Sequence, residues 1–243
     1  MPQKHPPLQA ITFDFWRTLF YAHSRLPERR RARVEAVVRI AGVSAEAAKD
    51  ALKQVGTETL RIHIAHRRTL DHREVIPILE HQLGLAFSID QAVVLADAIA
   101  DAFVLHPPEP IKGGLEALRE AAARVRVGII SDTGISPGSR IQMLLEQRGY
   151  LEHITSLSFS DEVGAAKPDA KMFEHAAAGL KVEAADLLHI GDLEPTDVSG
   201  ARDFGARAAL FAADNDRYVA GSQAEFVFHS WREFVEALPG IVG

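Results

Sequence analysis

Residues 10–19, Ala-Ile-Thr-Phe-Asp-Phe-Trp-Arg-Thr-Leu, guide the interpretation of the whole chain. The run 10–13 is mostly apolar and contains β-branched and aromatic residues, which predicts a buried β-strand. Asp14 follows at the carboxyl end of that strand, where open α/β sheets place their ligands. Since only Thr12 lies close to it in sequence as a polar neighbour, this carboxylate needs a cation or a reaction to explain it.

The composition of the chain is that of an ordinary globular protein, and it excludes several kinds of chemistry. Its 243 residues, 47% of them hydrophobic and 25% charged, suit one large α/β domain or a core domain with a smaller insert. The net charge of −6 and the scattered Lys and Arg residues give no reason to expect a nucleic-acid partner. The absence of cysteine excludes disulfides and cysteine nucleophiles.

The N-terminal residues 1–7, Met-Pro-Gln-Lys-His-Pro-Pro, lack the apolar region of a secretory signal. No apolar run is long enough to span a bilayer, so we expect no membrane partner. These observations favour a cytoplasmic protein. The oligomeric state is expected to be a monomer or a homodimer.

Between residues 22 and 107 the pattern is entirely helical. The predicted helices lie near 27–41, from 45 to 60 or beyond, and near 71–84 and 89–105. Pro77 lies inside the third of these runs and is expected to kink or split it. Four consecutive helices without a strand do not fit a strict alternation of strands and helices, so we expect residues 22–107 to form an inserted α-helical cap.

A second pattern begins after the proline-rich segment 106–110. From there apolar strands alternate with helices as far as residue 238, and the predicted strands lie near 125–130, 156–159, 187–190, 208–211 and 225–228. Such alternation is typical of a parallel sheet covered on both faces. We therefore expect an α/β fold with a doubly wound (Rossmann-like) parallel sheet. Residues 8–21 and 108–243 would form its core domain, and residues 22–107 the helical cap domain.

Polar residues follow four of these strands at the points where the strands end. They are Asp14, the segment Ser131-Asp132-Thr133-Gly134, the pair Lys167-Pro168, and Gly191-Asp192 with Asp197 further on. The carboxyl ends of parallel strands share one edge of a sheet, so these residues can converge.

The chemistry of these residues is mutually consistent. Asp14 and Asp192 supply the hard oxygen ligands that Mg²⁺ prefers. The backbone N–H groups after Ser131 can hold an anionic oxygen, and Lys167 adds a positive charge. A carboxylate can also attack phosphorus and form an aspartyl-phosphate, which divides hydrolysis into two easier steps.

Taken in order, the four motifs resemble those of the haloacid dehalogenase (HAD) superfamily, in the subfamily whose helical cap lies between the first and second motifs. The resemblance covers residues 8–238. It implies a hydrolase that acts on a small phosphorylated metabolite with Mg²⁺ as cofactor. The resemblance implies that Asp14 is the nucleophile and a metal ligand and that Lys167 orients it. It implies further metal ligands at the backbone carbonyl of Trp16, at Asp192 and at Asp197. Phosphate would be bound by Ser131, Asp132 and Thr133.

Trp16 departs from the pattern of the phosphatases in this family, which carry a second aspartate there as general acid and base. Indole cannot transfer a proton near neutral pH. Three functions stay open: a Mg²⁺-dependent phosphatase, a metal-independent 2-haloacid dehalogenase, and a degenerate member that binds a phosphorylated ligand or a partner without turnover. For the first of these, the candidate sources of a proton are His23, Glu28, His63 and His66.

Several basic residues are candidates for contact with an anionic substrate. Arg17 is the first of them, because it lies beside Asp14 in sequence and is expected near the entrance of the cap. Arg25 and Arg29 are weaker candidates. The basic stretch Arg61–Arg68 is more typical of a solvent-exposed helix face, with a phosphorylated substrate as the alternative.

Overall fold

A parallel sheet of six strands lies at the centre of the protein, in the computed structural model that describes residues 7–243. The strands are β1 (Ala10–Phe13), β2 (Arg126–Ser131), β3 (Ser156–Phe159), β4 (Leu187–Gly191), β5 (Arg207–Phe211) and β6 (Phe226–Phe228). Their order is β3-β2-β1-β4-β5-β6, and every neighbouring pair is parallel. The predicted α/β fold with a doubly wound parallel sheet is confirmed.

Helices surround this sheet and fill the interval between β1 and β2. They are α1 (Leu26–Ala41), α2 (Ala45–His66), α3 (Ile76–Leu83), α4 (Ile89–Leu105), α5 (Gly114–Ala122), α6 (Gly138–Gln147), α7 (Ser160–Val163), α8 (Ala170–Leu180), α9 (Ser199–Phe204) and α10 (Trp231–Val242). None of the helices in residues 7–243 has the length and apolarity needed to cross a membrane. Residues 1–6 lie outside the described residues. They include most of the N-terminal segment from which the sequence predicts no secretory signal.

Apolar side chains cover both faces of the sheet, as a parallel sheet requires. On one face Phe211 stacks on Trp231 with ring centres 4.1 Å apart, and Phe13 packs against the same indole at 5.4 Å. On the other face the buried residues Phe173 and Leu210 belong to a separate cluster. Burial on both sides holds the strands in register and so fixes the positions of their carboxyl ends.

The helices α1 to α4 pack on one another around a core of their own. Its fully buried members include Val37, Val55, Leu79, Leu95 and Ile99. Described residues of this segment contain no strand, as the helical periodicity predicted. The domain boundaries at 22 and 107 stay a prediction.

The third helix of this segment differs from the prediction. It begins at Ile76, so that Pro77 lies in its first turn, and the segment before it is a turn in which Asp71 Oδ1 accepts the N–H groups of Arg73 and Glu74 at 2.7 and 2.8 Å. Proline in a first turn removes no intrahelical hydrogen bond. The run predicted as one helix is therefore divided just before Pro77, one of the two predicted outcomes, without a kink inside the helix. The predicted start at Asp71 is wrong.

Buried and partly buried polar contacts join the helical segment to the loops that follow β2 and β3. Arg33 of α1 donates from Nε to the carbonyl of Ile99, at 3.1 Å, and from Nη2 to Ser136 Oγ, at 2.9 Å. Ser160 Oγ donates to Thr69 Oγ1 at 2.8 Å. These contacts place the end of α2 and the residues after it against the carboxyl edge of the sheet.

Candidate active site

Three neighbouring strands bring the predicted residues to one edge of the sheet. Phe13 of β1 pairs with Ile129 of β2 on one side and with Ile190 of β4 on the other. Asp14 therefore follows the central strand, and its N–H donates to the carbonyl of Ile190 at 2.8 Å. The carboxylate of Asp14 is buried, with 5% of the residue exposed. The ends of β1, β2 and β4 thus lie together at one edge of the sheet, as expected.

Lys167 lies between two of these carboxylates. Its buried ammonium donates to Asp14 Oδ1 at 2.8 Å, to Asp197 Oδ1 at 2.5 Å and to the carbonyl of Ile130 at 3.1 Å. All three donor hydrogens are thus engaged, and each bond to a carboxylate is charge-assisted. Lys167 therefore holds Asp14 in one orientation through Oδ1. It does not contact the other carboxylate oxygen of Asp14, Oδ2.

The electrostatics of the site follow from burial of like charges around one cation. Burial, together with the negative charges of Asp197 and Asp192, raises the pKa of Asp14 to about 8, although Lys167 opposes the rise. Burial and the Asp197 charge likewise raise the pKa of Asp192 to about 6. For Lys167, burial acts to lower the pKa, but the charges of Asp14 and Asp197 outweigh it and raise it, so the ammonium stays protonated.

The carboxylate of Asp197 is fully engaged by protein groups. Its Oδ1 accepts from Lys167 and lies 3.1 Å from His189 Nε2, and its Oδ2 accepts the N–H of Leu193 at 2.9 Å. Burial opposes ionisation, but Lys167 and the bond from His189 hold the pKa of Asp197 below its ordinary value. In this geometry Asp197 fixes Lys167. Its role as a metal ligand stays a prediction.

His189, in the strand before Gly191 and Asp192, is a site residue to which the sequence analysis assigned no role. It is fully buried on β4 directly opposite Thr12 of β1, and its Nδ1 lies 3.0 Å from Thr12 Oγ1. A chain of polar contacts therefore runs from Thr12 through His189 and Asp197 to Lys167. One signal was present in the sequence, because Thr12 and His189 are single polar residues within otherwise apolar strands.

Gly191 allows Asp197 to approach the end of β4. A Cβ built on Gly191 would clash with the Asp197 side chain and lie 2.6 Å from its Oδ1, a separation that real Cβ atoms do not show. We expect Gly191→Ala to displace the carboxylate and to lower the free energy of unfolding by about 1–3 kcal/mol, the usual cost of overpacking. Urea unfolding measures this, with Gly56→Ala as the control, because a Cβ there meets nothing within 4 Å. An unchanged stability would show that Asp197 has room to move.

Asp192 is oriented by a residue that the sequence analysis missed. Asn215, in the loop after β5, donates from Nδ2 to Asp192 Oδ2 at 2.9 Å and to its carbonyl at 3.2 Å. Arg17 Nε lies 3.6 Å from the same carboxylate oxygen. No pattern in the sequence pointed to Asn215, because the contact spans 23 residues and depends on the path of a loop.

Arg17 is placed at the site, but it is already bound by the protein. It donates from Nε to Asp214 Oδ2 and from Nη2 to the carbonyl of Asp214, each at 2.9 Å. Its backbone has φ +58°, a conformation that non-glycine residues rarely adopt, so the local structure holds it there. Arg17 therefore ties the loop after Asp14 to the loop after β5. Contact with substrate stays a prediction.

The loop after β2 is held in shape by the predicted phosphate-binding residues themselves. Thr133 donates its N–H to Ser160 Oγ at 2.8 Å and its hydroxyl to Asp161 Oδ1 at 2.7 Å. Asp132 Oδ1 accepts the N–H of Lys167 at 2.9 Å. Ser131 is buried at the end of β2, and its hydroxyl donates to the carbonyl of Asp132 at 3.3 Å. Thr133 and Asp132 thus organise the loop, and phosphate binding by Ser131, Asp132 and Thr133 stays a prediction.

Trp16 packs between the loop after β1 and the helical segment. Its ring lies edge-to-face against Phe15 and Phe103, with ring centres 4.9 and 5.8 Å apart. The guanidinium of Arg29 lies 5.9 Å from the centre of the indole and donates to the carbonyls of Ala22 and His106. Arg29 therefore joins the two ends of the helical segment by hydrogen bonds, and its guanidinium lies against the indole of Trp16. The indole fills space and supplies no group that transfers a proton.

The four candidate sources of a proton occupy different surroundings. Glu28 faces Arg25 at 3.4 Å, His66 is exposed, and His23 has a side chain 68% exposed near Asp214. His63 differs, since only 28% of its side chain is exposed and its Nε2 lies 4.0 Å from Asp132 Oδ2. The structure therefore brings His63 to the loop that follows β2.

The donor set at this edge suits a magnesium ion. Among residues 7–243 no group of three or more His, Cys, Asp or Glu side chains is arranged as a metal-binding cluster. Mg²⁺ does not need one, because it commonly binds one or two carboxylates and keeps several waters. Asp14 and Asp192 supply two carboxylates with raised pKa values, which a nearby cation would lower. The full predicted ligand set, which adds the backbone carbonyl of Trp16 and Asp197, stays a prediction.

Known proteins share parts of this sequence and its whole architecture. Over 131 residues the chain is 27% identical to pyrimidine 5'-nucleotidase YjjG of Escherichia coli (strain K12), a match that covers 53% of this chain and 56% of that protein. The chain thus spans about half the length of this curated relative.

Two solved structures superimpose on nearly the entire chain. A 2-haloacid dehalogenase from Pseudomonas syringae pv. Tomato DC3000 is 20% identical, with a TM-score of 0.70 and coverage of 96% of this chain and 97% of that one. A HAD phosphatase from Thermococcus onnurineus is 19% identical, with a TM-score of 0.67 and coverage of 97% and 100%. At these identities the likeness shows the fold.

The family model for haloacid dehalogenase-like hydrolases matches residues 8–205, which include all four motifs and the helical segment. That match confirms the resemblance expected from the strand-end motifs. This chain belongs to the haloacid dehalogenase-like hydrolases.

Proposed function

We propose that this hydrolase is a phosphatase that cleaves a small phosphate monoester through a covalent phosphoryl group on Asp14, with Mg²⁺ as cofactor. The observation that carries the proposal is a second buried carboxylate, Asp192, fixed by Asn215 at the end of the strand beside that of Asp14. Without a cation, such a carboxylate would oppose the ionisation that Asp14 needs to act as a nucleophile.

The reaction divides into two displacements at phosphorus. Asp14 Oδ2 attacks the phosphorus atom, and the bond to the leaving alcohol oxygen breaks. Water then attacks the same phosphorus, which releases phosphate and regenerates the carboxylate. Lys167 holds Asp14 Oδ1 throughout and places its positive charge beside the reacting group. Mg²⁺, held by Asp14, Asp192 and the carbonyl of Trp16, would supply positive charge against the phosphate oxygens.

A metal-independent 2-haloacid dehalogenase is the second candidate, and Trp16 is the observation that favours it. In that reaction Asp14 would attack carbon and expel a halide ion, which needs no proton on leaving. The dehalogenase from Pseudomonas syringae shares the fold, as does the Thermococcus onnurineus phosphatase. The buried carboxylate of Asp192 argues for the phosphatase, because without a metal ion it keeps a second negative charge near Asp14 that raises the pKa of the nucleophile, although Arg17 lies 3.6 Å from it.

Metal dependence separates the candidates. We expect the protein to release nitrophenol from p-nitrophenyl phosphate with Mg²⁺, to lose that activity in EDTA, and to regain it with excess Mg²⁺. Nitrophenolate is a good leaving group, so the absence of an acid at Trp16 should matter little for this ester. Release of chloride from 2-chloropropionate in EDTA would instead establish the dehalogenase, and binding of Mg²⁺ without turnover of any ester would establish a degenerate member.

The natural substrate is proposed to be a small phosphorylated metabolite. Pyrimidine nucleoside monophosphates are the first class to assay, since YjjG is a pyrimidine 5'-nucleotidase. The proposal also includes a cytoplasmic location and a monomer or homodimer, with neither nucleic acid nor membrane as partner.

A further inference from the structure

Hydrolysis of an alkyl phosphate needs a proton for the leaving oxygen, and Trp16 cannot supply it. A general acid commonly contributes a factor of about 10²–10⁴ to the rate. The chain must therefore either be restricted to esters with acidic leaving groups or carry the acid elsewhere. The helical segment is the place to search, because its second helix ends against the carboxyl edge of the sheet.

Two contacts fix the carboxyl end of α2 on the catalytic loops. The carbonyl of Arg67, which directly follows α2, accepts the N–H of Ala166 at 2.7 Å, one residue before Lys167. Two residues further on, Thr69 accepts a hydrogen bond from Ser160, whose hydroxyl also accepts the N–H of Thr133. The last turn of α2, with His63, is thereby held over both the lysine loop and the loop after β2.

His63 faces the carboxylate that connects these loops. Its Nε2 lies 4.0 Å from Asp132 Oδ2, while Asp132 Oδ1 accepts the N–H of Lys167, whose ammonium contacts Asp14. Asp132 is mostly buried, and burial raises its pKa, a rise that the charges of Lys167 and His63 oppose. Catalytic hydrogen bonds commonly shorten when a substrate binds, so a separation of 4.0 Å leaves the pair in reach of one another.

We propose that His63 is the general acid and base of the reaction and that Asp132 orients it. This inference rests on the proposed phosphatase function. In the first step the His63 imidazolium gives its proton to the leaving oxygen as the phosphorus–oxygen bond breaks, and the imidazole becomes neutral. In the second step the imidazole takes a proton from the attacking water, so the imidazolium is restored when phosphate leaves.

The leaving group of the substrate provides the test. His63→Gln should lower the single-turnover rate of ethyl phosphate cleavage by about 10²–10⁴-fold, because ethoxide is a poor leaving group without a proton. In a single turnover the same variant should release nitrophenolate from p-nitrophenyl phosphate at nearly the wild-type rate, because nitrophenolate leaves without a proton and the step in which His63 acts as base follows that release. Asp132→Asn should show the same preference to a smaller extent, with kcat changing more than KM. His81→Gln, on an exposed residue of α3, is the control and should leave both rates unchanged.

Each outcome decides one of the two proposals. If the wild-type enzyme hydrolyses both esters and His63→Gln lowers both single-turnover rates equally, or lowers neither, the assignment of His63 is wrong and the phosphatase stands. The same conclusion follows if the wild-type enzyme hydrolyses p-nitrophenyl phosphate but not ethyl phosphate, since no acid then serves the leaving group. If the wild-type enzyme with Mg²⁺ hydrolyses neither ester, the phosphatase assignment fails, and that of His63 fails with it. Thermal unfolding of each variant separates a loss of structure from a loss of catalysis, since His63→Gln should unfold at the wild-type temperature.

Discussion

Replacement of Asp14 with Asn should abolish turnover of every substrate. An amide is not a competent nucleophile, and loss of a nucleophile in comparable covalent mechanisms lowers kcat by about 10³–10⁶-fold. Steady-state hydrolysis of p-nitrophenyl phosphate with Mg²⁺ measures the effect. Asp203→Asn is the matched control, because that carboxylate is exposed on α9.

The same variant should keep or gain stability. The folded protein raises the pKa of Asp14 to about 8 through burial and through its negative neighbours, whereas the unfolded chain ionises this carboxyl at neutral pH, so folding there takes up a proton and loses stability. Asn needs no proton and keeps an oxygen that can accept from Lys167. A higher temperature of unfolding together with complete loss of activity is the expected combination, typical of a site where function costs stability. Full activity in the Asn variant would overturn the assignment of Asp14 as nucleophile.

Replacement of Lys167 with Gln should have the second-largest effect, on both activity and stability. The ammonium contacts Asp14 and Asp197, and its loss leaves those buried carboxylates without their shared cation. We expect kcat to fall by about 10²–10³-fold, the usual cost of one electrostatic donor at a reacting group. We also expect the free energy of unfolding to fall by ~3–5 kcal/mol, as when one partner of a buried ion pair is removed.

Two comparisons make this prediction specific. Lys171→Gln, on an exposed residue of α8, should change neither kcat nor the urea midpoint. The double variant Lys167→Gln with Asp197→Asn should be more stable than Lys167→Gln alone, because the second change removes a carboxylate that has lost its partner. Equal stability of the single and double variants would contradict the view that Asp197 serves to balance and place Lys167.

Much of the fold could be predicted because its signals are local or periodic. The apolar run 10–13 and the later strands are covered on both faces of the sheet, so most of their side chains are apolar. The four helices between β1 and β2 show helical spacing because one face of each packs on the others. The error in the start of the third helix has a local cause, since the sequence pattern does not show whether a proline lies in the first turn of a helix or in its middle.

The members of the candidate site could be predicted from strand ends, but the contacts among them could not. Asp14, Lys167, Asp192 and Asp197 each follow a strand or precede a helix, and a parallel sheet brings such positions together. Their roles depend on distances of a few tenths of an ångström. Asp197 resembles a metal ligand by spacing, yet its oxygens are engaged by Lys167, His189 and the N–H of Leu193.

By itself, the sequence determined the α/β class, the helical segment between the first two strands and the residues at the carboxyl edge of the sheet, because periodicity and strand-end chemistry are carried by neighbouring residues. The tertiary structure alone decided that Asn215 orients Asp192, that His189 connects Thr12 to Asp197, and that His63 lies beside Asp132. These contacts join residues far apart in the chain. Their partners are selected by the packing of loops and helices, which leaves no periodic trace in the sequence.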